Sequence, residues 1–373
     1  MMTNTLTFAV LGGGHGGFCM AAELTLRNFR VHLFELPSFA WTVEPVIQAG
    51  GIALRGVAGE GFARPAVVTT DIERALAGVD AAMVVVPAYG HRPMAQACAP
   101  YLKDGQIVVL APGCCGGALE FRQTLREFGS RAEIILAEVT SLPYAVKKET
   151  PTSVWARGKK KYLPLAALPA TRTKWVLERL RPAFPQFTPA ANVLDTSFNN
   201  VNNIIHPPPA LLNLGLVESQ RIGEWSFYLD GYSPAVAQVG EALDVERMGI
   251  IRAFGLPEVS LLEWGPIYYG HQGIGGKSLY QMVQTPSVHG PAPGPKMTNE
   301  RQISEDVPYG LVPLASFGRL AGAPAPTMEA LITLSGVVNG TDYWRTGRTV
   351  ESLGLAGMSV DEIVRFVTAA PTA

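Results

Sequence analysis

Apolar residues in the first half of the chain come in short runs separated by amphipathic stretches. Residues 5–11 (TLTFAVL) read as a strand, 14–28 as a helix and 30–35 (RVHLFE) as a second strand. A third strand is predicted at 67–70, with a helix over 71–77. The run 81–87 (AAMVVVP) is apolar on every side chain, as a central parallel strand covered on both faces must be. Residues 106–111 and 134–139 repeat that texture around a helix at 118–128. Strands alternating with helices predict an α/β fold with a parallel, doubly wound sheet.

Between 143 and 169 the pattern shortens to strand-like pieces around Gly158 and Lys159, read as a hairpin added to that sheet, and a helix follows at 171–180. Pro182, Pro185 and Pro189 then mark the expected linker. Beyond it, segments 190–220, 232–254, 257–270, 298–320 and 327–368 read mainly as helices broken by Pro and Gly. The expected organisation is a Rossmann dinucleotide-binding domain over 1–185 and a mostly α-helical substrate domain over 190–373.

Composition narrows the function. With 373 residues, 47% hydrophobic and 16% charged, two packed domains fit the chain. A formal net charge of -1 offers no footprint for nucleic acid or an anionic membrane. The basic run Lys159-Lys160-Lys161 reads as a solvated turn. No run reaches the roughly 20 apolar residues of a membrane helix, and the start lacks signal-peptide character. Cys19, Cys98, Cys114 and Cys115 make neither a zinc spacing nor a disulfide framework. The expectation is a cytoplasmic protein without a metal, with helical faces able to pair in a homodimer.

The glycines at 12, 14 and 17 fill the G-x-G-x-x-G spacing. Context gives the spacing its weight, because it follows a strand, opens a helix, and leads to a second strand ending in Glu35. Gly12 permits the tight turn, Gly14 the approach of a pyrophosphate, and Gly17 the packing of helix on strand. His15 and Gly16 complete the turn, where helix N–H groups attract phosphate. Glu35 stands 21 residues beyond Gly14, near the roughly 20 expected of a carboxylate on the adenosine ribose. It repels a 2′-phosphate, so NAD is favoured, with NADP possible through Arg30 or a loop residue. A glycine-rich turn without cofactor, or one that binds FAD, is the alternative. Pro87 and Ala88, with Pro112, follow two later strands and should border the same cleft.

In the second half, Asn199-Asn200-Val201-Asn202-Asn203 leads to His206-Pro207. On one helix, Asn199, Asn203 and His206 would share a face. An imidazole that titrates near neutrality suits proton donation to a group receiving hydride. A helix cap with a structural histidine accounts for the pattern equally. Arg301 could grip a carboxylate and Asp306 could orient His206, although from spacing alone the segment also reads as a solvated loop with local ion pairs. His32, His91, His271 and His289 have weaker cases.

These features together resemble the opine dehydrogenase family, the octopine/nopaline dehydrogenases. The match rests on the Gly12–Gly17 turn, on Asn203-x-x-His206-Pro207, and on Arg301-x-x-x-x-Asp306-Val307-Pro308 followed by Gly310-Leu311-Val312-Pro313. The resemblance implies that an amino acid's amine and a 2-oxo acid such as pyruvate form an imine that NAD(P)H reduces. It implies His206 as acid and base paired with Asp306, Arg301 on a carboxylate, and Asn203, Thr140 and Tyr144 bordering the substrate. Closure about the Pro182–Pro189 linker would exclude water. Pro207-Pro208-Pro209 and the loop 286–295 depart from the family pattern and leave the substrate open. A ketopantoate reductase or glycerol-3-phosphate dehydrogenase type is the nearest rival, but no Lys lies between 190 and 276 to serve it. A non-catalytic dinucleotide sensor would have no use for His206 with Arg301 and Asp306.

Overall fold

The computed structural model describes residues 6–219, 224–285 and 292–369. Its strands, numbered along the chain, make two sheets. The larger contains β1 (Thr7–Leu11), β2 (Arg30–Phe34), β5 (Val67–Thr69), β6 (Ala81–Val84), β7 (Ile107–Leu110), β8 (Ile135–Val139), β11 (Leu163–Leu168) and β12 (Phe187–Pro189). The smaller contains β3 (Ile52–Gly56), β4 (Gly61–Ala63), β9 (Tyr144–Thr150) and β10 (Ser153–Lys159).

The large sheet runs β12-β11-β8-β7-β6-β1-β2-β5. From β5 to β8 every neighbour is parallel, and β11 enters antiparallel to β8. This is the doubly wound order, with its switch point between β1 and β6. β6 and β7 are buried at every residue, as their unbroken apolar runs require. Register decides what meets at the switch point. Leu11 pairs with Phe34 on one side and Val84 on the other, so Gly12, Glu35 and Val85 leave their strands side by side.

Two expectations are corrected here. The hairpin β9–β10 does not extend the large sheet. β10 pairs in parallel with β3, a strand from the segment after β2 whose pattern is too short to stand out, and closes the separate sheet β4-β3-β10-β9. The proline-marked stretch 182–189 is not a free linker. Phe184 and Phe187 are buried and stack at 4.7 Å, and β12 forms the sheet's edge. Proline is tolerated there because an edge strand leaves one row of N–H groups unpaired.

The chain divides into two compact units. The first holds residues up to Gly113, Gly117–Thr196 and the residues from Val367 onward; the second holds Cys114–Gly116 and Ser197–Phe366. The division thus falls at Thr196 rather than near residue 187, because β12 belongs to the first unit. Helices build the second unit, including Pro234–Ala253, Leu261–Tyr269, Val312–Ala321 and Pro326–Asn339. Arg247 is fully buried among them. It holds Asp244 at 2.7 Å, the Asn199 side chain at 2.8 Å and the Val259 carbonyl at 2.6 Å.

Candidate functional site

In the first unit, the turn from β1 into the helix His15–Leu26 carries the cofactor chemistry. Gly12 has φ +126°, and a Cβ there would lie 2.3 Å from the Val85 carbonyl oxygen. A Cβ on Gly17 would lie 1.8 Å from the Gly12 oxygen. The protein's own packing demands both glycines. Gly14 differs, since nothing lies within 4 Å of the Cβ it lacks, and Gly14 and His15 are exposed at the open helix end. An exposed helix N-terminus with a clear approach suits a pyrophosphate.

Glu35 is buried beside this turn. Its two carboxylate oxygens accept N–H bonds from Gly13 at 2.7 Å and Leu36 at 2.8 Å. Each oxygen keeps a second lone pair for a ribose hydroxyl. Lys148 of β9 stands opposite, donating to the Gly13 carbonyl at 2.8 Å with its ammonium 3.4 Å from the Phe18 ring centre. Burial pulls its pKa down to about 8, although the Glu35 charge raises it. Pro87, Ala88 and Pro112 lie just past β6 and β7; Ala88 is buried and the two prolines keep exposed surface. Sequence reasoning missed Lys148, because only the second sheet carries it to a turn 135 residues away.

Thr140 and Tyr144, expected beside the substrate, are both buried within the first unit. Thr140 is 2% exposed, with its hydroxyl on the Pro164 carbonyl. Tyr144 is 4% exposed and donates its hydroxyl to Glu23 at 2.8 Å. Glu23 also pairs with Lys159, and Lys160 is buried with its ammonium on the Leu142 carbonyl at 2.7 Å. Two of the three lysines expected in solvent therefore face inward: Lys159 ties the small sheet to the helix His15–Leu26, and Lys160 holds the segment before β9.

In the second unit, His206 joins the short helices Asn202–Ile205 and Pro207–Leu211. Pro207 lacks an N–H, so the second helix starts there without an orphan donor. Asn199 lies outside both helices and is held by Arg247, which corrects the expectation of a shared face with His206. Asn203 is 1% exposed. Its side-chain nitrogen has no hydrogen-bond partner among the described residues.

His206 Nδ1 meets Asp306 Oδ2 at 2.8 Å, with both residues 6% exposed. Asp306 precedes a π-helical turn, Val307–Leu311, in which Leu311 N–H reaches back to the Asp306 carbonyl at 2.9 Å. Such wide turns insert a residue and re-aim side chains at functional sites. Gly310 sits in it, and a Cβ there would lie 2.5 Å from Asn203. The other imidazole nitrogen, Nε2, meets the Tyr228 hydroxyl at 3.1 Å. Sequence reasoning missed Tyr228, for which no motif gave a signal. Arg301 lies near with 62% of its side chain exposed and Glu305 at 3.7 Å. Burial of its surroundings works against its charge, and the Asp306 and Glu305 carboxylates outweigh that and raise its pKa.

Cys114 and Cys115 are buried and in no disulfide, with the Cys114 sulfur 4.0 Å from a Glu305 oxygen. His32 bonds the Ala75 carbonyl and is structural, and His289 falls outside the described residues. No helix among the described residues is long and apolar enough to cross a membrane, and those residues contain no metal-binding cluster.

Residues 189–339 match the NAD/NADP octopine/nopaline dehydrogenase alpha-helical domain. The opine dehydrogenase of Arthrobacter sp. (strain 1C) is 37% identical over 359 residues, covering 96% of this chain and 98% of that one. A solved octopine dehydrogenase with NADH and L-arginine has a TM-score of 0.76 at 22% identity, over 99% of this chain and 100% of that one. A ketopantoate reductase from Ralstonia eutropha JMP134 has a TM-score of 0.61 at 16% identity, over 90% and 99%. Shared fold therefore does not separate the two activities, whereas the full-length sequence identity does. The chain belongs to the opine dehydrogenase family of NAD(P)-dependent oxidoreductases.

Proposed function

We propose that this chain condenses the amine of an amino acid with a 2-oxo acid such as pyruvate and reduces the imine to an N-(carboxyalkyl) amino acid. One observation carries the reading. An imidazole held by a buried carboxylate stands in the same unit as a guanidinium that is 62% exposed. Each substrate carries a carboxylate, which Arg301 would hold through paired hydrogen bonds. Asp306 accepts the Nδ1 proton of His206, leaving Nε2 as the base that frees the amine and the acid that helps water depart. Asn203 offers the substrate a donor that nothing else among the described residues uses.

A bound reduced nicotinamide supplies hydride to the imine carbon. The turn at Gly14 and His15 would take its pyrophosphate and Glu35 its ribose, with Lys148 adding positive charge beside the same turn. Glu35 followed by Leu36-Pro37-Ser38 favours NADH over NADPH, because a carboxylate with no arginine beside it repels a 2′-phosphate. The reading places the enzyme in the cytoplasm, where NADH and both substrate types occur.

The test is NADH oxidation with pyruvate and a panel of amino acids, with the product identified by mass. The expected result is oxidation that needs both substrates. Full activity with pyruvate alone would replace this reading with a simple 2-oxo acid reductase.

A further inference from the structure

His206 is engaged on both ring nitrogens, by Asp306 at Nδ1 and Tyr228 at Nε2. A carboxylate can only accept, so the neutral ring keeps its proton on Nδ1 and presents a lone pair at Nε2. Tyr228 has one O–H to give, and that lone pair is its acceptor. The phenol stays a donor, since burial raises its pKa well above 10 against the lowering effect of Arg301, with Tyr269 and Asp306 raising it further. The ring is packed in place. Phe227 lies edge-on at 5.0 Å, and Tyr232 stacks parallel at 6.5 Å with its own hydroxyl on the Ile205 carbonyl. The nitrogen assigned to proton transfer is thus covered by a fixed hydroxyl.

We propose that Tyr228 is a catalytic residue of the condensation, relaying protons between the substrate and His206 Nε2. This rests on the reading of His206 as the acid and base. In the first step the substrate ammonium N–H breaks as a Tyr228 O–H forms, while the original Tyr228 proton passes to Nε2. The freed amine pair attacks the 2-oxo carbon and the carbonyl pair moves to oxygen. That oxygen takes one proton from the new C–N nitrogen and a second back along the relay, then leaves as water as C=N forms. The borrowed proton has returned, and Tyr228 and His206 end as they began. A phenol can pass a proton both ways because its oxygen accepts while its hydrogen is donated.

The test is Tyr228→Phe, which keeps the ring and removes only the hydroxyl, assayed with pyruvate and the amino acid that wild type uses fastest. The expected result is a kcat loss of about 10²-fold, with KM, NADH Kd and Tm essentially unchanged. In the unliganded enzyme, the ¹⁵N signal of His206 Nε2 should move toward that of an unbonded lone pair. Unchanged or faster kcat with that ¹⁵N shift would make Tyr228 a mere plug and overturn the relay. Parallel loss of kcat, NADH affinity and Tm would make it structural and equally overturn it. His206→Ala, run alongside, separates the two claims. If it stays active, the assignment of His206 itself fails, whatever Tyr228 does.

Discussion

At His206 the two partners fix the ring, while Arg301 keeps most of its side chain exposed beside Glu305. Substitution should therefore separate chemistry from binding. His206→Ala removes a proton-transfer group and should lower kcat by about 10²–10⁴-fold while NADH Kd, read by fluorescence titration, stays near wild type. A kcat close to wild type would remove its proposed role. Arg301→Ala takes away an exposed cation and should leave Tm unchanged. Substrate KM should rise about 10- to 100-fold, since hydrogen bonds to a charged group are worth roughly 1.5–3 kcal/mol. A change confined to NADH binding would contradict that assignment. His206, Asp306 and Arg301 were legible as residues, but their pairing came from the family pattern, because spacing alone also allowed a solvated loop. Tyr228 was not legible, since it reaches Nε2 only after the chain has folded.

The turn between β1 and the helix His15–Leu26 lets one element be dissected by its glycines. Gly12→Ala forces a Cβ against a backbone oxygen at a positive φ and should destabilise the protein by about 3 kcal/mol or more. Gly14→Ala meets no protein atom within 4 Å. Its stability should stay within about 0.5 kcal/mol of wild type, while NADH Kd by calorimetry rises about tenfold or more as the methyl enters the pyrophosphate's approach. Equal NADH affinity in Gly14→Ala would place the cofactor elsewhere. Lys148, carried to this turn by β9, makes the element sensitive to pH. Its ammonium is lost above about pH 8, so NADH affinity should weaken between pH 7 and 9, a dependence that Lys148→Met abolishes. The stability effect has the opposite sign. Between about pH 8 and 10.5 the unfolded chain keeps this proton and the folded one has released it, so the contribution of Lys148 to stability grows as pH rises. Glu35, at the end of β2, is the charged group that opposes the shift.

Across the molecule, buried charge organises each unit. In the second, Arg247 is 0% exposed and holds Asp244, whose other oxygen accepts the Leu261 N–H at 2.7 Å. Arg247→Met leaves that carboxylate without its countercharge and should cost about 3–5 kcal/mol, read as a lower urea midpoint. An unchanged midpoint would show that the network is redundant. The first unit's equivalent joins Glu23, Tyr144 and Lys159, and it took two residues read as substrate-facing or solvated. The order of strands and helices, the glycine turn and Glu35 were readable from the chain, because hydrophobic periodicity and backbone sterics act on neighbouring residues. The four-stranded sheet, the burial of Phe184 and Phe187, the inward lysines, Lys148 at the turn and Tyr228 on His206 depend on contacts between distant segments. No local pattern encodes such contacts, because they form only when the packed elements bring those segments together.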